Sequence, residues 1–541
     1  MNKGTTVSHS LKSKVRTEPQ VSGKEKPGLS SEEWVLVGLM GIYLLTVIWG
    51  LLTDGTWDDD CVDRYYNTRQ AFDQPRHFVG LWNRPLFVLL FALPVLLSKY
   101  AIVTLMPAVS IITNFALYKA ARRQNIRNAY LIIPFLTFQA FYFPISFSAL
   151  AEPLAACIMA LGLLFHVEKK YLAFVIVGSL LPLARLELSP LLVFWCIILI
   201  QQKQWKIIPL LIVPTLLWNF AGTYFSGDPI WLYSQIFGQG NTVNRYGQTG
   251  FWSYFQRYIY VVGPVVFYFL LIGLFEKIYQ RRLDLFVTIQ FLVGFAIYVV
   301  FSWKLSLGQA AGFLRHLISL APLAAYLALS GFNHWINSID ENNARIRTLF
   351  WSIIILLLTY AFLSNTLVLH NLITPEPEFT NLFVISALTL IFIGAIYFSK
   401  SFNSKTYLKY IISTIIVLTM GYTLVTEPPD KNNSEEREIM KLISDWYLEY
   451  DVHRYKTYAN HGWFFYANTL DRWSDRFGQV TLANLESAPD SAVVIWENHY
   501  SQRLQGDVPL DSLRNNPRYR EIHKLTSHET KFNAIVYQVI N

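Results

Sequence analysis

The sequence predicts a polytopic α-helical membrane protein with a small soluble α/β domain at its C-terminal end. Three observations carry this. Of 541 residues, 53% are hydrophobic and only 15% charged, where soluble domains carry about 25% charged residues. Apolar runs near the ~20 residues needed to cross a bilayer recur from residue 33 to residue 426. Beyond that point the chain turns abruptly charge-dense. The same composition excludes disordered and fibrous chains. Three cysteines, Cys61, Cys157 and Cys196, are too few for a disulfide framework.

Residues 1–30 are rich in Ser, Lys, Gly and Pro without an apolar core, and read as a disordered cytoplasmic tail. The membrane domain, 31–426, has candidate spans near 33–53, 100–118, 129–147, 150–166, 171–184, 188–200, 207–223, 258–275, 285–301, 317–332, 349–369, 381–398 and 408–426. The fifth and sixth are short, with Pro182 and Pro190 near their junction. Read as a re-entrant pair, they reduce thirteen spans to eleven with the same sidedness. The apolar run 85–97 is read as an interfacial helix or the first part of the second span. Basic residues fall in alternate short loops: Lys119, Arg122, Arg123 and Arg127; Lys169 and Lys170; Lys203 and Lys206; Lys277, Arg281 and Arg282; Arg345 and Arg347. These loops are assigned to the cytoplasm. The net charge of +8 is thus a topology signal, and no nucleic-acid partner is expected. An odd span count sends 427–541 to the far side as a soluble α/β domain, helical over 435–448 and extended over 493–496 and 534–540.

The first far-side loop, 54–84, concentrates the chemistry. It contains Trp57-Asp58-Asp59-Asp60-Cys61 directly after a span. Packed carboxylates repel, which raises at least one pKa. Such a cluster suits a general base, a metal ligand or both; the plain alternatives are a solvated acidic loop or a helix N-cap. An amphipathic helix over 63–72 would hold it at the membrane surface. The loop continues through Arg76-His77-Phe78 to Asn83-Arg84-Pro85-Leu86. Arg84 is either an interfacial anchor or a clamp for an anionic lipid headgroup, since guanidinium matches phosphate bidentately. Further ionisable groups collect at the same face: Glu152, the pair Arg185 and Glu187, Asp228, and Lys304, Arg315 and His316. Such groups at membrane depth are costly and usually functional, although Arg185 and Glu187 could simply pair with each other. His461, in Asn460-His461-Gly462-Trp463, reads as structural or surface. No dinucleotide fingerprint, P-loop, His-Glu-x-x-His or Cys-x-x-Cys competes.

This layout resembles the GT-C glycosyltransferases, integral membrane enzymes that use polyprenyl- or dolichyl-phosphate-linked sugars. By motif order the likeness covers roughly residues 33–335. Asp58-Asp59-Asp60 fits both forms of the family's first-loop acid pair, adjacent or spaced by one. Asn83-Arg84-Pro85-Leu86 resembles the segment before its second span, and Glu152 an acid heading the fourth. Gly227-Asp228-Pro229 resembles a recurrent loop motif, and Arg315 the late basic residue that meets the lipid phosphate. The third consecutive Asp departs from the pattern and leaves base and metal ligand unassigned.

The resemblance implies transfer of a sugar, expected to be mannose, from a polyprenyl-phosphate donor to a lipid, glycan or protein acceptor. Asp58, Asp59 and Asp60 are the catalytic candidates. Arg315, helped by Arg84, His316 and Lys304, is expected to hold the donor phosphate, with Glu152, Arg185, Glu187, Asp228 and His77 around the substrate. A divalent metal is the one cofactor left open, with Asp58 and Asp60 as its ligands if it is used. The competing class is a transporter or flippase for lipid-linked or anionic solutes. It would place charges at the membrane midplane on repeated, broken helices, and no internal repeat is evident. Without an ER retrieval signal at the C-terminus, a bacterial inner membrane with a periplasmic active site is expected over the ER.

Overall fold

The computed structural model describes residues 31–53, 57–237, 250–305, 313–364, 367–369, 372–374, 378–398, 404–431, 434–528 and 531–540. The tail expected over 1–30 lies outside them. Among the described residues, eight helices are long and apolar enough to cross a membrane: Glu32–Leu52, Ala101–Arg123, Trp205–Ser226, Leu285–Trp303, Leu314–Asp340, Asn342–Leu363, Phe379–Phe398 and Lys409–Thr426. A ninth candidate, Ser253–Val262 with Pro264–Tyr279, is bent by 118°. The bend sits where Gly263 adopts φ +79°, open to a residue without Cβ. Pro264 then starts the second arm without needing an N–H partner.

Four shorter apolar helices, Pro85–Leu97, Glu152–Val167, Tyr171–Ala184 and Leu186–Gln201, complete the bundle. The run at 85–97 is a helix of its own, parted from Ala101–Arg123 by extended Ser98. The span expected over 129–147 is broken into Ala129–Leu131, Ile132–Thr137 and Tyr142–Ile145, and still carries the chain from Asn128, which donates to Asn333 at one end of the bundle, to Glu152 beside Arg315 at the other. The fifth and sixth expected spans form a hairpin. The chain reverses at extended Arg185, and the hydroxyl of Tyr171 donates to Gln202 at 2.9 Å, joining the two distant ends. Trp195 fills the hairpin so closely that a Cβ on Gly178 would lie 2.3 Å from its ring.

The core of the bundle is the crossing of Pro264–Tyr279 with Ala321–Asp340. A Cβ on Gly331 would lie 1.9 Å from the Phe269 carbonyl oxygen, and one on Gly273 2.2 Å from that of Leu327. Backbones approach this closely only where side chains are small. Phe135, Phe269, Phe332, Trp335 and Phe392 pack around the crossing.

The C-terminal domain has the helix Glu435–Glu449 against a five-stranded mixed sheet. Its order is Phe477–Gly478, Thr457–Ala459, Val493–Glu497, Asn533–Val539 and Tyr519–Thr526; the first three strands run parallel to one another and the last two pairings are antiparallel. Val493–Glu497 is buried throughout, as a central strand covered on both faces should be. The domain docks on the first loop. Trp57, fully buried, packs against Tyr466 at 4.8 Å between ring centroids, and Arg472 binds Asp63. At the opposite end of the first span, Glu32 pairs with Arg122 at 3.1 Å.

Candidate active site

The acidic triplet opens the helix Asp59–Arg69. Asp58 is its N-cap, with Oδ1 accepting the Cys61 N–H at 2.8 Å, so the capping role was real. The cap fixes the backbone, and the helical turn then sends the three carboxylates to different partners. Asp60 Oδ2 accepts from the Arg315 guanidinium. Asp58 Oδ2 lies 3.6 Å from the same group. Asp59 turns away to the C-terminal domain, where Trp463 Nε1 and the Tyr500 hydroxyl donate to it at 2.7 and 2.8 Å.

From Arg315 an ion-pair relay runs into the bundle. Its Nε lies 3.7 Å from Glu152. Glu152 accepts from Arg185 at 3.1 Å, with side-chain exposures of only 2% and 3%. Arg185 pairs with Glu187 at 2.8 Å, and Glu187 with Arg84 at 3.5 Å. Arg185 and Glu187 do pair, as the plain reading had it, and each also binds a second partner. Arg84 reaches Glu187 from a backbone with φ +60°, a conformation that costs energy outside glycine and concentrates at functional sites. Asn83 holds that turn, accepting from Asn67 at 3.0 Å and meeting His77 Nδ1 at 3.3 Å.

The sequence candidates therefore separate. Asp58, Asp60, Glu152, Arg185, Glu187, Arg84 and Arg315 form one connected group. His316 is buried beside it, stacked on Tyr298 at 6.1 Å. His77 packs on Trp473 and serves the loop. Asp228 makes local contacts, its Oδ1 accepting the Ile230 N–H at 3.0 Å. The Lys304 side chain lies outside the described residues.

Electrostatics divide the two acids that face Arg315. Burial, reinforced by the charge of Asp60, pushes the Asp58 carboxyl up, against a weaker pull from Arg315. Burial also acts on Asp60, but Arg315 and then Arg64 outweigh it and hold its carboxyl below the usual range. Both remain reachable, with 36% and 34% of their side-chain surfaces exposed. Among the described residues, neither belongs to a group of three or more metal-ligating side chains.

Two further buried arginines, Arg64 and Arg257, lie outside the sequence candidates. Arg64 lies between the rings of Trp82 and Phe87, 5.1 and 5.3 Å from their centroids. Its i, i+4 spacing from Asp60 was a legible signal. Arg257 is 1% exposed. Among the described residues, hydrogen-bond partners are lacking for Arg64 Nε and Nη1, Arg185 Nη2, Arg315 Nε and all three guanidinium nitrogens of Arg257. Buried guanidinium N–H groups without partners are costly and suit an oxyanion.

No protein-family model matches the sequence, and no curated protein matches it. Among solved structures, the crystal structure of ArnT from Cupriavidus metallidurans bound to undecaprenyl phosphate is similar, with a TM-score of 0.57 and 11% identity over 94% of this chain and 98% of that one. The chain shares the fold of that ArnT structure. The likeness extends through the C-terminal domain, well past the region the short motifs covered.

Proposed function

We propose that the protein is a membrane glycosyltransferase that moves a sugar, read as mannose, from a polyprenyl-phosphate donor to an acceptor on the side of the C-terminal domain. The observation that carries this reading is the pairing of Asp58 and Asp60 with Arg315 at the head of a buried relay that still has unspent guanidinium donors. The fold supports it: ArnT has been crystallised with undecaprenyl phosphate. With the basic loops of the bundle assigned to the cytoplasm, the site faces the periplasm of a bacterial inner membrane.

In the reaction the bond between the anomeric carbon and the phosphate oxygen breaks as the acceptor oxygen attacks from the opposite face. The phosphate leaves with the bonding electrons, and the acceptor proton must go to a base. Asp58 takes that role, because its raised pKa brings it nearer the proton it must accept. Asp60 holds Arg315 between the acids and the departing phosphate. Arg315, with Arg64 and Arg84 behind it, counters the charge that grows on the leaving group; such pre-set cations act most strongly in a site screened from water. An oxocarbenium-like centre also gains from the flanking carboxylates.

Incubation of the purified protein with a panel of polyprenyl-phosphate sugars tests the reading. Time-dependent release of free polyprenyl phosphate, with mannose the best donor, is expected. Intact donor across the whole panel, with any acceptor fraction, would remove it.

A further inference from the structure

The junction of the first loop and the C-terminal domain holds a side-chain group that the transfer chemistry leaves unused. Asp59, Glu436, His461 and His499 each offer one ligand atom, and the four atoms lie within 4.8 Å of one another. They arrive from four places: the first turns of Asp59–Arg69 and Glu435–Glu449, the residue capping Gly462–Ala467, and the turn after Val493–Glu497. His461 is 1% exposed, so this is an internal convergence and not an acidic surface patch.

We propose that these four side chains bind a divalent transition-metal ion of the zinc type, which clamps the first loop to the C-terminal domain. Two imidazoles and two carboxylates are a donor set that suits zinc, whereas calcium and magnesium take oxygen donors. Two carboxylates with two neutral imidazoles also balance a dication. Zinc ligands sit about 2.0–2.2 Å from the ion, so tetrahedral neighbours lie roughly 3.3–3.5 Å apart. The present spacings bracket that value. Glu436 Oε1 lies 2.6 Å from both His461 Nε2 and His499 Nδ1, and Asp59 Oδ2 lies 3.8 Å from His499 Nδ1.

The groups behind the ligands are already in place. Trp463 Nε1 and the Tyr500 hydroxyl fix Asp59. Buried Glu497 accepts the backbone N–H groups of His499, Tyr500 and Ser501 at 2.7, 2.8 and 2.7 Å, which locks the turn carrying His499. Metal sites depend on such supporting hydrogen bonds. Occupation has one cost. His461 Nδ1 accepts the Trp463 N–H at 3.3 Å, which puts the ring proton on Nε2. Binding through Nε2 moves that proton to Nδ1 and gives up this long bond, a loss that the new metal–ligand bonds outweigh. Asp58 and Asp60 are not donors, so the site is independent of the transfer reaction and can fail without it.

The test uses the full chain purified in detergent, stripped with a chelator and titrated with Zn²⁺ against a chromophoric competitor, with Co²⁺ as the spectroscopic substitute. One equivalent of Zn²⁺ and the visible bands of tetrahedral Co²⁺ are expected. His499→Gln should weaken Zn²⁺ by more than about 100-fold, beyond the 10–100-fold typical of residues behind the ligands. His523→Gln, whose ring stacks on Trp446 elsewhere in the domain, should leave it unchanged. Should His499→Gln not fold, Glu436→Gln in the same titration carries the test. Substoichiometric uptake by the wild type, or equal affinity in wild type and ligand variants, would overturn the proposal.

Discussion

Three adjacent aspartates have three different jobs, and the division rests on partners far away in sequence. Asp58 caps a helix and faces Arg315; Asp60 binds that arginine; Asp59 is held by Trp463 and Tyr500, 404 and 441 residues further on. The triplet was legible as a site because consecutive carboxylates after an apolar span have few structural reasons to exist. Its division was not, because nothing local distinguishes the three. Arg315→Gln is expected to weaken donor affinity and slow transfer together, by about 2 kcal/mol or more, as loss of a desolvated charge pair does. Donor titration and single-turnover rates measure both. An arginine that only anchored a span at the interface would leave both quantities intact. Asp59→Asn should spare most of the chemical step, and its main effect should be faster proteolysis of the junction between the first loop and the C-terminal domain.

At the scale of elements, long apolar runs were read correctly wherever one helix crosses the bundle. The expectation differed where the chain breaks. Residues 129–147 are mostly apolar, but Pro134 and Pro144 interrupt the backbone hydrogen-bond ladder, and apolar content alone cannot distinguish one continuous helix from a crossing made of short ones. The hairpin around Arg185 was legible from its length and its prolines. Its function was not, because the relay through Glu152 and Arg315 depends on how the elements pack. Packing also sets the next prediction. Gly331→Leu places a side chain where even a Cβ would lie 1.9 Å from the Phe269 carbonyl oxygen. It should abolish the thermal transition of the detergent-solubilised protein or lower it steeply. Gly38→Ala, with nothing within 4 Å of the new Cβ, should melt as the wild type does.

At the scale of the molecule, a soluble domain sits over the acids of a membrane bundle, contributing Trp463, Tyr500 and Arg472 to the first loop. The sequence showed the domain by its change in composition, and two of its five strands, Val493–Glu497 and Asn533–Val539, by short apolar runs. It carried no sign of the docking, since His461-Gly462-Trp463 reads locally as an ordinary turn into a helix. Because the domain and the first loop touch, they share one side of the bundle. Protease treatment of sealed vesicles should cleave the N-terminal tail and the C-terminal domain from opposite sides; cleavage of both from one side would contradict the assigned topology. The most direct measurement is single-turnover sugar transfer from a labelled polyprenyl-phosphate donor by wild type and Asp58→Asn, with donor affinity read in parallel. Transfer slowed roughly 10²–10⁴-fold, the range for loss of a general base, with donor affinity kept, is the expected result. Turnover of Asp58→Asn within about twofold of wild type, far below that range, would contradict Asp58 as the base.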